Sequence, residues 1–181
     1  RWNFDTSHFG VTYANAESED SITTIFTAPV LEEEMEVTGH VQVNLYLKSA
    51  TPDGSVFAYL EDVDENGNVW KVTDGQFRFV HRKLQDKAPH YDDVVPYHSY
   101  AKADAEPMDT SKVEYVSFDM LPTSHLFKKG HRLQVRLAGV DVYNFKNLYP
   151  NGGSWEIYHD AEHPTHIDIP VIARDVVMGQ K

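Results

Sequence analysis

The stretch HVQVNLYLK, residues 40–48, alternates without a slip. Val41, Val43, Leu45 and Leu47 fall on one face of an extended chain, with Gln42, Asn44, Tyr46 and Lys48 on the other. A period of two marks a strand with one face in a core and one in water, the habit of antiparallel sheets. RLQVRLAG, residues 132–139, repeats the device: Leu133, Val135 and Leu137 face one way, Arg132, Gln134 and Arg136 the other. SITTIFTA, VFAYLEDV, GQFRFVHR, VEYVSFDML and HIDIPVIA are further short runs rich in β-branched and aromatic residues. No stretch carries a long apolar stripe at helical spacing, and the closing RDVVMGQK reads as one helical turn or a strand tail.

Turn chemistry falls between these runs. Pro29, Gly39, TPDG at 51–54, ENGN at 65–68, Gly75, KKG at 128–130 and PNGG at 150–153 separate the strands as a stack of hairpins requires. Short antiparallel strands in a chain of 181 residues predict an all-β fold, a two-sheet antiparallel β-sandwich of the jelly-roll kind. Residues 21–181 read as a single β-sandwich domain, and 1–20 as a linker or N-terminal extension. Residues 84–111, with prolines, tyrosines and charges but little periodicity, read as an irregular insertion.

Composition narrows the functions. Sixteen basic residues against 28 acidic ones leave a formal charge of −12. That argues against nucleic acid and anionic membrane as partners, because both need clustered Lys and Arg. No run approaches the length of a membrane span. With no cysteine there is no disulfide, thiolate metal site or cysteine nucleophile. The compartment stays open: soluble, either cytoplasmic or exported. The opening RWNFD, without methionine, reads as a processed product or a piece of something longer.

Four motifs invite a functional reading. DVDENGN, 62–68, places Asp62, Asp64, Asn66 and Gly67 as a helix-flanked calcium loop would, but the twelfth position is Thr73, which cannot chelate with two oxygens. Asn66-Gly67 is also the strongest short hairpin signal available, since both residues accept positive φ. YHDAEHPTH, 158–166, gathers His159, His163 and His166 around Asp160 and Glu162, yet Pro164 bars a helix and the spacing fits no zinc signature. The expectation is a polar loop whose side chains hydrogen-bond the backbone around Pro164. Ser124 and His125 are sequence neighbours, which says nothing of a nucleophile–base pair, and there is no G-x-S-x-G elbow. Trp70, Trp155, Tyr149 and Tyr158, with Trp2 further off, would make a sugar-stacking platform only if two or three shared an open face; strand aromatics are more often core. The residues themselves name no catalytic, cofactor-binding or metal-binding side chain.

Four phrases run in order through the chain: VLEEEMEVTGHVQVNLYLKS, FAYLEDVDENGNVWKVTDGQFRFVHR, YVSFDMLPTSHLFKKGHRLQVRLAGVD and IYHDAEHPTHIDIPVI. Together they cover roughly residues 21–173 and resemble the C-terminal jelly-roll domain of the X-Pro dipeptidyl-peptidase and cocaine-esterase family of serine hydrolases. The resemblance implies a galactose-binding-domain-like sandwich that performs no chemistry alone. It implies as partner an α/β-hydrolase catalytic domain, missing from this chain, which holds the catalytic serine, aspartate and histidine. The domain would support that partner, wall its substrate entrance and contribute to a homo-oligomer; a free-standing carbohydrate-binding module is the alternative. It also implies that His125, His131, His159, His163 and His166 are structural. For His131 and Arg132, which open a strand after a turn, the expected partners are loop carbonyls.

Overall fold

The structure, a computed structural model, describes residues 23–86, 95–141, 145–148 and 153–173. The expected extension at 1–20, the tail from 174, Trp2, Tyr149, most of PNGG and the middle of the insertion lie outside the described residues. Ten strands follow in chain order. They are β1 (Thr23–Thr27), β2 (Met35–Gly39), β3 (Gln42–Ser49), β4 (Ser55–Val63) and β5 (Val69–Arg78). After the insertion come β6 (Glu114–Asp119), β7 (Thr123–Phe127), β8 (Arg132–Ala138), β9 (Trp155–Tyr158) and β10 (His166–Asp168). Short 3-10 turns at Phe79–His81 and Lys102–Asp104 are the described helical elements.

Every described strand pairing is antiparallel. One sheet has the order β1-β8-β4-β5; a second has β10-β3-β6, with β9 also pairing β3; β2 and β7 form a two-stranded ribbon. Both sheets contribute to one core, which makes the fold an all-β sandwich as the alternation predicts. Val43, Leu45 and Leu47 of β3 and Val116 and Phe118 of β6 meet Val56, Ala58 and Leu60 of β4 and Leu133, Val135 and Leu137 of β8. Burying each Val or Leu contributes about 1.5–3 kcal/mol relative to exposure, so these rows supply the main drive to fold.

β5 passes close to the end of β6. A β-carbon on Gly75 would sit 2.7 Å from the Asp119 carbonyl oxygen and 2.9 Å from the Met120 α-carbon. Across this gap the Leu121 amide donates to the Asp74 carbonyl at 2.9 Å, and the Thr73 hydroxyl donates to the Leu121 carbonyl at 2.7 Å. The glycine is therefore a packing requirement here.

The alternation is less clean on the solvent side than the sequence suggests. Asn44 points away from the core yet is 4 % exposed. It is fully engaged: its amide donates to Asp168 at 2.9 Å, and its carbonyl accepts from Tyr115 and Ser117 at 2.6 and 2.8 Å. On the other sheet, Glu61 is buried and takes bonds from Gln134 at 2.7 Å and Arg136 at 3.2 Å. A buried polar group with its partners in place specifies register, since a one-residue slip would strand it.

Candidate functional site

The β4–β5 hairpin settles the DVDENGN question by committing its carboxylates. The Gly67 amide donates to the Asp64 carbonyl at 3.0 Å, so Glu65 and Asn66 are the central turn residues, and Gly67 alone of this turn has positive φ, +83°. This is the hairpin turn expected at Asn66-Gly67, built as a three-residue loop of Glu65, Asn66 and a left-handed Gly67. The Asp64 carboxylate caps it, accepting the Asn66 and Asn68 amides at 2.8 and 2.9 Å and the Asn68 side chain at 2.8 Å. The Asn68 side chain first, then its backbone, hold the Asp64 carboxyl below its ordinary value.

Asp62 is engaged elsewhere. It is 4 % exposed, and its two oxygens face His131 Nδ1 at 2.8 Å and His125 Nε2 at 2.9 Å. His131 thus meets a carboxylate rather than the loop carbonyls expected for it, because the approach of β4 to the start of β8 is a cross-strand fact with no local sequence signal. The neighbouring Ser124 lies on the other side of β7, its hydroxyl 2.9 Å from that of Thr38. Ser124 and His125 therefore form no nucleophile–base pair. Among the described residues, no group of three His, Asp or Glu side chains is arranged to hold a metal ion.

The loop 158–166 matches its expected role. His159 Nδ1 is 3.0 Å from the Thr165 carbonyl, and His166 Nδ1 is 2.6 Å from the Pro164 carbonyl. Asp160 accepts the Glu162 and His163 amides at 2.8 Å each, and its carboxyl is lowered chiefly by the bond from the His163 side chain. His163 is folded back over the sheet, with its ring 5.6 Å from both Tyr46 and Tyr158.

Trp70, Trp155 and Tyr158 do not share an open face. Trp70 stands 55 % exposed beside the hairpin tip, whereas Trp155 packs against the core and meets Phe79 edge-on at 6.5 Å. Tyr158 lies three residues from Trp155 on the same strand and so points the opposite way. The aromatic row that does exist crosses β6, β3 and β9 as Tyr115, Tyr46 and Tyr158, partners in register. Sequence reasoning missed it because its members come together only through pairing between distant strands.

Of the insertion, residues 84–86 and 95–111 are described, and 95–111 lies over the end of β5. His98 is 4 % exposed, with Nε2 2.8 Å from the Ser117 carbonyl and Nδ1 3.2 Å from the Lys83 carbonyl. Arg82 reaches the Glu106 and Pro107 carbonyls at 2.5 and 3.1 Å and pairs with Glu114. Between this arm and β5 opens a cleft lined by Arg78, His81, Tyr100 and Lys102 over Val80, Ala105 and Pro107.

With this geometry in place, the chain can be set beside known proteins. The X-Pro dipeptidyl-peptidase C-terminal non-catalytic domain matches residues 3–168. A protein named as a serine esterase in Mycobacterium bovis is 40% identical over 173 residues, 95% of this chain and 28% of the relative. The cocaine esterase of a Rhodococcus species is 26% identical over 162 residues, 82% of this chain and 25% of the relative. Among solved structures, a CocE/NonD family hydrolase from Staphylococcus aureus superposes with a TM-score of 0.69 at 22% identity, over 83% of this chain and 30% of that one. An alpha-amino acid ester hydrolase gives 0.66 at 18%, over 87% and 27%. The fold is shared with both, and the chain spans between a quarter and a third of the length of each of these proteins.

Proposed function

The chain belongs to the X-Pro dipeptidyl-peptidase C-terminal non-catalytic domain family, and from that footing we propose that it buttresses the α/β-hydrolase domain of a serine esterase or peptidase. In this reading the reacting serine, aspartate and histidine lie in the partner domain. The sandwich stabilises that domain, helps to wall its substrate entrance and supports an oligomer.

The observation that carries the reading is strand β1. It is an edge of its sheet, bonded on one side to β8. From Thr24 to Thr27 every residue is exposed, including Ile25 at 38 % and Phe26 at 48 % on opposite faces. Among the described residues the other edge of β1 is unpaired, and an edge bearing large apolar side chains on both faces is an association hazard that a protein covers. β1 is also the first described strand in chain order.

Phe26→Glu in the full-length enzyme tests this. The sandwich should keep its own melting temperature, because the side chain is half exposed within it. Its unfolding should separate from that of the hydrolase domain, with faster heat inactivation. A single unchanged transition would rule out β1 as the docking edge. The 181-residue chain should not release nitrophenol from a p-nitrophenyl ester above a denatured control; if it does, the division of labour is wrong.

A further inference from the structure

We propose that the cleft between β5 and the arm at 95–111 binds a small organic carboxylate with a flat apolar body. The cleft has a volume of about 470 Å³, within the range of small-molecule sites. None of its lining residues is acidic, in a chain whose formal charge is −12. The Lys102 ammonium makes no ion pair or hydrogen bond with any described residue, so it is available to a ligand. Arg78 holds Asp53 through Nε and Nη2, at 2.9 and 2.5 Å, which leaves its Nη1 hydrogens uncommitted. Asp53 cancels the Arg78 charge and the Asp119 charge reaches Tyr100, so Lys102 is the cation left to meet a single negative charge.

The walls select the body of the ligand. Val80, Ala105 and Pro107 are apolar, and Tyr100 adds a ring that is 59 % exposed. Tyr100 is the one non-glycine residue among those described with positive φ, 53°. Such a conformation is disfavoured for a bulky side chain and persists only where its surroundings impose it. Here it sets the ring 5.4 Å from His81 and 5.8 Å from His98. His81 carries a buried Nδ1 without a hydrogen-bond partner, so its ring has not been recruited by the fold's own polar network. Burial, and secondly the Asp119 charge, raise the Tyr100 phenol above its ordinary value, and a phenol is a donor at neutral pH in any case. Cationic and hydroxyl donors beside apolar walls are what a carboxylate on a planar ring requires.

The probe is benzoate, titrated into the 181-residue chain and followed through backbone amide resonances. Benzyl alcohol serves as the uncharged counterpart and acetate as the bare headgroup. Saturable shifts centred on Val80, Tyr100 and Lys102 are expected, with both controls weaker by about tenfold or more. Lys102→Glu, at an exposed position, should leave the spectrum folded and weaken benzoate by about tenfold. Tyr100→Gly relieves the backbone while deleting the wall, and should also lose benzoate. Equal shifts from benzoate and benzyl alcohol, shifts centred elsewhere, or no saturation would each overturn the proposal. Since the titration needs no catalytic domain, its failure would leave the docking role of β1 standing.

Discussion

Asp62 Oδ1 lies 2.8 Å from His131 Nδ1, a contact that joins residues 69 apart in the chain. With His125 on the second oxygen, Asp62 bolts the β4–β5 hairpin to the start of β8 and to the β2–β7 ribbon. The carboxylate is 6 % exposed, so removing it leaves two imidazoles without their shared partner. Hydrogen bonds to a charged group contribute about 1.5–3 kcal/mol each, and orphaned partners add a desolvation cost. Asp62→Ala should lower stability by about 3 kcal/mol in urea unfolding, and Asp62→Asn by less, since an amide still accepts one bond. No change in the midpoint would mean that the two histidines are satisfied by water.

Gly75 offers a test of the sandwich itself. An added methyl would press on the Asp119 carbonyl and the Met120 α-carbon, both backbone atoms that cannot rotate away. Gly75→Ala should therefore cost about 2 kcal/mol by forcing the sheets apart. At Gly67, by contrast, a methyl meets nothing within 4 Å, and the penalty comes from its φ of +83° alone. Gly67→Ala should cost about 1 kcal/mol. Thermal melts of the two variants should fall in that order.

Three surface carboxylates make the fold sensitive to acid. The Asn68 side chain lowers Asp64, the Ser111 hydroxyl first of all lowers Asp109, and the His163 side chain lowers Asp160. A carboxyl whose folded value is depressed stabilises the fold above its unfolded value, near 3.8, and that contribution disappears as pH falls through the folded value. Melting temperature should hold steady down to about pH 4 and then drop. Asp64→Asn and Asp109→Asn should flatten that drop by lowering the neutral-pH melting temperature towards the acid value. A variant that melts with the wild-type acid slope would show that its carboxylate is not involved.

The period of two in β3 and β8 was legible because one-sided burial writes itself directly into sequence. The hairpin at 64–68 was legible as a turn but not as to type, because its conformation depends on the Asp64 side chain accepting three bonds. The histidines near Pro164 could be read as local because their partners lie within a few residues. Asp62, His125 and His131 could not, since their meeting depends on which strands pair. The same holds for Arg78 and Tyr100, which share a cleft only because an aperiodic arm crosses back over β5.

His98 pins that arm, and its geometry predicts how the arm comes loose. Both ring nitrogens face backbone carbonyls, Ser117 at 2.8 Å and Lys83 at 3.2 Å, and a carbonyl can only accept. The ring also packs 4.6 Å from Phe77, so part of its contribution is apolar. His98→Phe should keep that contact and lose the ring N–H, leaving a carbonyl such as that of Ser117 unmet at a cost of about 1–3 kcal/mol. The loss should be local. Amides of the arm and protease cleavage within it should respond first, whereas the core rows of β3 and β8, represented by Val43 and Val135, should exchange as in the wild type. Since the same arm holds Tyr100 and Lys102, His98→Phe should weaken benzoate together with arm order. Tight benzoate binding on a loosened arm would show instead that the β5 side of the cleft suffices for recognition.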